Sequence, residues 1–235
     1  MYKQTAVIAI LSMALAACGA PRSRPNQPQS LHQPSASLQS LPAPGTYQID
    51  SNNSELRILV YRAGPLANLG HNHVLVNRDL SGSIQLADSP AASSFSVSLP
   101  AVKFVVDDAQ ARQEEGGDFP GDIPEDAKSG TQHNLLGPAL LNAAAYPMIT
   151  VKSVSIASEQ GELTATVTIE VAGHEATIAA PFTLQGDAHH LTGVGSFGIR
   201  QTALGLTPYS LMRGALQVQD AMQLKFRIAA AISQS

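Results

Sequence analysis

An all-β domain of antiparallel strands, arranged as a sandwich or a barrel, is what the sequence predicts from Thr46 onward. Three observations predict it. Apolar and polar residues alternate with period two over short runs, Gly, Asn, Asp and Pro punctuate those runs, and most successive runs have no helical pattern between them, as a parallel α/β sheet would require. Tyr47 and Ile49 open the series, and Leu56, Ile58 and Val60 form the next alternating set, with Ile58 a candidate inward-facing residue. Further strands are predicted at residues 74–77, 83–87, 95–99, 149–156, 163–171, 176–184, 191–199 and about 222–230, and Ile169 is a second candidate for the inner face. Turn chemistry separates several of them: Asn77-Arg78-Asp79, Glu159-Gln160-Gly161, Ala172-Gly173-His174 and Gly186-Asp187. One stretch departs from this rhythm. Around residues 124–146, Leu136, Leu140, Ala143 and Ala144 recur at helical spacing, and Pro138 suits a first helical turn, so a short helical segment is expected there, broken at Gly137 and ending before Pro147.

Composition narrows the function. The chain has 235 residues, 44% hydrophobic and 14% charged, with a formal charge of −4 and a mean hydropathy of +0.02. That balance excludes wholesale disorder and a polytopic membrane protein, and it lacks the basic face that nucleic-acid binding needs. With no Trp and 5% aromatic residues, the chain has few rings on which bases or sugars could stack. Its single cysteine allows neither an internal disulfide nor a cysteine-rich zinc site.

The position of that cysteine supplies its explanation. Residues 1–17 carry one positive charge at Lys3, an apolar stretch from about Ala6 to Ala17, and small residues before Cys18, which are the three regions of a secretory signal. The stretch is shorter than the about 20 apolar residues of a membrane span. Leu15-Ala16-Ala17-Cys18 resembles the bacterial lipobox, and the resemblance implies that Cys18 is acylated and becomes the first residue of the mature chain. The membrane is then a partner through this lipid, since each buried CH₂ contributes about 0.8 kcal/mol. Gly19 rather than Asp follows the cysteine, and resemblance to lipoprotein sorting signals favours the periplasmic face of the outer membrane. Residues 18–44, rich in Pro, Ser and Gln, are expected to form a disordered tether that includes a solvated His32, and residues 45–235 the folded domain.

Few motifs carry chemistry. Gly193-Val194-Gly195-Ser196-Phe197-Gly198 has the spacing of a dinucleotide fingerprint, but it lies within an alternating run instead of at a strand-to-helix turn, and it contains no nucleophile elbow. The acidic residues between Asp107 and Asp126 do not reproduce an EF-hand register and are expected to form a solvated, flexible loop. Histidine gives the sharpest signal. In Leu69-Gly70-His71-Asn72-His73 the two imidazoles stand at i and i+2, on one face of an extended chain. With His133 as a third donor they are candidates for a transition metal, or else for contacting a ligand head group or bracing the loop. The adjacent His189 and His190 would face opposite ways on a strand and are weak candidates.

Taken together, these segments resemble the YceI-like family of bacterial periplasmic proteins. Tyr47-Gln48-Ile49-Asp50 with Ser54, Gln132-His133-Asn134-Leu135-Leu136, Tyr146-Pro147-Met148-Ile149 with Ser153, Gly161-Glu162-Leu163-Thr164 and Ile199-Arg200-Gln201-Thr202 follow its motifs in order, over about residues 46–230. Asn53 stands where the family usually has His, Ala203 and Leu204 replace an acidic residue and Phe, and Gly70-His71-Asn72-His73 occupies a region that is usually G-x-F, so the chain reads as a divergent branch. The resemblance implies an extended lipocalin-like β-barrel enclosing a tunnel for a long isoprenoid or other amphipathic chain. Mostly Val, Ile, Leu and Ala on the alternating positions are compatible with an open lumen. The expectation is a non-enzymatic, lipid-anchored protein that binds or carries an isoprenoid, quinone-like or other amphipathic lipid, with His71, His73, His133, Ile58 and Ile169 as candidate contacts. A His-centred metal or haem-linked redox protein and a structural lipoprotein with a filled barrel are the alternatives. Oligomeric state is left open.

Overall fold

A computed structural model describes residues 42–233. The predicted signal segment, Cys18 and most of the predicted tether lie outside the described residues. The strands are β1 (Gly45–Ile49), β2 (Glu55–Ala63), β3 (His73–Asn77), β4 (Ser81–Leu86), β5 (Ser94–Pro100), β6 (Val105–Val106), β7 (Met148–Glu159), β8 (Glu162–Val171), β9 (His174–Gly186), β10 (His190–Arg200), β11 (Ser210–Leu211) and β12 (Leu216–Ile232). Every pairing is antiparallel. They form an eight-staved barrel in which β1 with β2, β3 with β4, and β5 with β6 each make one broken stave. The alternating pattern allows a sandwich or a barrel, and the barrel implied by the family resemblance is what forms: each strand buries one face inside and full closure leaves no long unpaired edge.

Closure depends on β12, whose 17 residues pair with β10 along one side and with β2 and then β1 along the other. The break between β1 and β2 is held to β12 by Ser54. Its Oγ donates to the Asp50 carbonyl at 2.7 Å and accepts from the Ala229 N–H at 3.0 Å, while the Asp50 side chain accepts from the Asn52 N–H. Tyr47, fully buried, donates its hydroxyl to the Ala43 carbonyl at 2.6 Å. The Tyr-x-Ile-Asp-x-x-x-Ser pattern thus marks a stave that bends without losing its bonds to the neighbour. Ser153 has a similar task beside a bulge in β7, where its Oγ accepts from the Phe95 N–H at 2.8 Å. In the β8–β9 turn, Gly173 (φ +79°) lies under the Tyr146 ring, where a Cβ would come within 2.5 Å of Cζ, so both the turn and the contact require glycine there.

Among the described residues, two α-helices decorate the barrel. The first, α1 (Ala109–Glu115), begins where the Asp108 side chain accepts from the Ala111 N–H and ends at Gly116 (φ +72°). It corrects the expectation of a free acidic loop. Leu59, Val74 and Val76 lie on the outer wall of β2 and β3, and Ala111 and Phe119 cover them. The charges are engaged too: Glu115 meets Arg57 at 2.9 Å and Lys225 at 2.5 Å, and Glu114 meets Arg57 at 2.8 Å. An apolar outer face on two strands requires such a cover, which local acidity did not reveal.

The second helix, α2 (Glu125–Leu136), starts with two acidic residues that suit its N-terminal dipole. It ends at Gly137, and no helix resumes at Pro138. Leu140 and Ala143 fall in turns, where the Leu141 N–H donates to Leu135 and the Ala143 N–H to Leu136. No helix among the described residues is long and apolar enough to cross a membrane.

Candidate functional site

Inward-facing side chains alternate along every stave and line a cavity of about 1160 Å³ that runs through the barrel. Ile58 and Ile169 both line it, with Val167, Ile178, Phe182 and Leu224 among their neighbours. The lumen is therefore not plugged by its own side chains, contrary to the filled-barrel alternative. On β10 the inward series includes Gly193, which lines the cavity without occupying it. This places the glycine-rich motif within a barrel strand and not at a strand-to-helix turn.

Polar groups gather where β3 and β12 begin. Arg62, His71, His73, Gln201 and Gln217 line that end, and α2 contributes Thr131 and Asn134. His71 and His73 both reach the cavity, as their i and i+2 spacing predicted, with their rings edge to face and 6.2 Å apart. Asn72 serves the opposite side. Its Oδ1 accepts from the Arg62 N–H at 3.0 Å and its Nδ2 donates to the Asp118 carbonyl at 2.8 Å, which fixes the loop so that both histidines turn inward. His133 does not join them: it is exposed on α2 and is not part of the cavity wall. Among the described residues, no three His, Cys, Asp or Glu side chains converge as a metal ion would need, so the structure does not assemble the predicted trio.

Behind His73 lies a network that sequence reasoning missed. Asp107, its side chain fully buried, meets His73 Nδ1 through Oδ2 at 2.6 Å and accepts at Oδ1 from Arg112 Nη1 at 2.6 Å and from the Val74 N–H at 3.0 Å. Arg112 is also buried and donates to the Asn72 carbonyl at 2.8 Å. Burial raises the Asp107 pKa, but the hydrogen bond and charge of His73, the Val74 N–H and the Arg112 guanidinium outweigh it and hold the carboxyl below its ordinary value. A carboxylate only accepts, so His73 donates from Nδ1 to Asp107, and Nε2 is the ring nitrogen left for whatever enters the mouth. The available signal was Asp108 as an N-cap with Arg112 four residues on. The partnership of Asp107 with His73, 34 positions away, has no local signature.

The arrangement is a long apolar lumen with a hydrogen-bonding mouth. A family model, that of the YceI-like domain, matches residues 47–230. The crystal structure of BcnA from Burkholderia cenocepacia is similar with a TM-score of 0.56 at 18% identity, covering 77% of this chain and 98% of that one. A polyisoprenoid binding domain from Saccharophagus degradans, implicated in plant cell wall breakdown, has a TM-score of 0.53 at 12% identity, covering 80% of this chain and 98% of that one. No curated protein matches the chain.

Proposed function

We propose that this chain, which belongs to the YceI-like family, is a carrier that holds the apolar tail of an isoprenoid, quinone-like or other amphipathic lipid along its barrel lumen. The observation that carries this reading is the cavity itself, about 1160 Å³ and lined chiefly by aliphatic side chains. The polar end gives the ligand a direction. A head group resting near His71 and His73 also has Arg62, Gln201 and Gln217 within the same lining, and the tail runs inward past Ile58 and Ile169. The Saccharophagus degradans domain, with the same fold, is described as binding polyisoprenoid, which supports this ligand class. Holding a lipid requires no covalent chemistry, and the role is non-enzymatic.

The same reading gives Cys18 its purpose. Acylated there and tethered through residues 18–44, the domain would stand at the periplasmic face of the outer membrane, beside a source of poorly soluble molecules. Organic extraction of the purified protein followed by mass spectrometry tests the carrier reading. A near-stoichiometric amphipathic lipid is expected. Protein that yields none, and takes up neither a polyprenol nor a quinone when offered them, would sink it.

A further inference from the structure

Two connections meet beside the mouth: residues 64–72 between β2 and β3, and residues 201–215 between β10 and β12. The Leu66 N–H donates to the Ala215 carbonyl at 2.8 Å, and Gly70 packs against Leu216. Both line the cavity, through Gly70 and His71 on one side and Tyr209 and Leu211 on the other. Both also turn large apolar side chains outward. Leu66 is 36% exposed, Leu69 65%, Leu211 44% and Met212 72%, so the apolar wall of the lumen continues over its lip onto the surface. Met212 (φ 50°) and Arg213 (φ 57°) occupy left-handed conformations that non-glycine residues avoid, at a cost of about 1–3 kcal/mol each. The backbone is strained where it presents the most exposed of the four side chains.

Charge points the same way. In a chain of formal charge −4, residues 62–73 and 201–217 contain Arg62 and Arg213 and no Asp or Glu. Acidic residues adjoin the loops only from other segments: Asp220 on β12 accepts from Thr202 and pairs with Arg200, buried Asp107 holds His73, and the Asp118 carbonyl accepts from Asn72, so the charges of the loops themselves are Arg213 and, at the end of β2, Arg62, whose guanidinium donates to the Gly70 carbonyl. An apolar ridge with arginine beside it matches the boundary between acyl chains and phosphate head groups in a bilayer. We infer that these two loops form a membrane-docking rim, which seats the open mouth on a lipid surface so that a ligand passes between bilayer and lumen without crossing water. The inference goes beyond the carrier reading, because docking and ligand binding are measured separately.

The absence of tryptophan from the chain makes the test direct. Full-length Met212→Trp, mixed with vesicles of phosphatidylethanolamine and phosphatidylglycerol, should shift its emission to the blue and be quenched by brominated acyl chains. Leu69→Trp, on the partner loop, should do the same and serves if the strained site at Met212 does not accept indole. Val154→Trp, 63% exposed on the β7 wall, should show neither effect even when the amino terminus holds the chain to the vesicle. Equal responses at Val154 and in the loops, or no response at either loop position, would overturn the rim. A rim response from protein that carries no extractable lipid would retain the docking surface and count against the carrier alone.

Discussion

Gly193→Val should make the protein more stable and a poorer container. Gly193 sits in the middle of β10 with its missing side chain directed into the lumen, between Leu184 on β9 and Ile228 on β12. A Cβ there would meet nothing nearer than the Phe182 ring at 4.0 Å, and the backbone is not in the left-handed region. Valine therefore enters open space in an extended conformation that β-branched residues favour. Replacing glycine in a strand removes conformational freedom from the unfolded chain, worth roughly 0.5–1 kcal/mol, and the new side chain gains part of the about 1.5 kcal/mol or more that full burial of valine provides. A total near 1 kcal/mol raises the midpoint of thermal unfolding by about 2–4 °C for a domain of this size. The same methyl groups occupy the path of the ligand.

Gly195, two residues on and also inward, is the matched control. A Cβ there would lie 2.4 Å from Phe226 Cζ and 2.6 Å from the Pro181 carbonyl oxygen. The ring can swing, but the backbone carbonyl cannot. Gly195→Ala should therefore cost about 1–3 kcal/mol by overpacking. The assay pairs differential scanning calorimetry of delipidated protein with mass spectrometry of lipid retained after purification. Opposite shifts in midpoint, with lipid lost in Gly193→Val, are expected. Destabilisation by both variants, or full lipid occupancy in a stable Gly193→Val, would refute the reasoning that this part of the lumen is open and used.

Ile58→Phe and Ile169→Phe should each lower lipid occupancy at a stability cost below about 1 kcal/mol, whereas a packed core would lose roughly 1–3 kcal/mol, as urea titration of delipidated protein will distinguish. Asp107→Asn preserves the shape and tolerates the left-handed backbone (φ 55°), but leaves Arg112 buried without its counter-charge, so the urea midpoint should fall by an amount equivalent to about 3–5 kcal/mol. The pKa of Asp107 is depressed on folding, so its contribution is present above the ordinary value of 3.8 and disappears as pH falls through the lower folded value; the gap between the two proteins should narrow on that side, and a gap independent of pH would contradict the assignment. Cys18→Ser should leave an uncleaved precursor without acyl chains, because a hydroxyl does not replace the thiol in forming the thioether, and metabolic labelling with a fatty acid that still marked the variant would remove the anchor from the proposal.

The barrel was legible because its strands must satisfy a local rule. Each alternates between lumen and outer face, so Leu56, Ile58 and Val60, or Leu163 to Val171, declare themselves within a few residues. The elements that sequence reasoning misjudged answer to distant demands. Helix α1 forms where the acidic composition suggested a solvated loop, because Val74 and Val76, more than 30 positions earlier, leave the outer wall of β3 apolar and in need of cover. The segment after Gly137 carries helical spacing in Leu140 and Ala143 but spends it on turns, since carbonyls of the preceding helix already accept the Leu141 and Ala143 N–H groups.

The site divides in the same way. Spacing alone put His71 and His73 on one face, and they reach the lumen together, since that consequence needs only an extended backbone. Grouping His133 with them required a distance that no local pattern contains, and α2 presents that residue to solvent. What turns the pair from surface imidazoles into a defined mouth is the buried line from His73 through Asp107 to Arg112, with Asn72 holding the loop against both Arg62 and Arg112. The middle residue of His-Asn-His is as consequential as the two around it. Its side chain faces away from the cavity, and that is why theirs can face in.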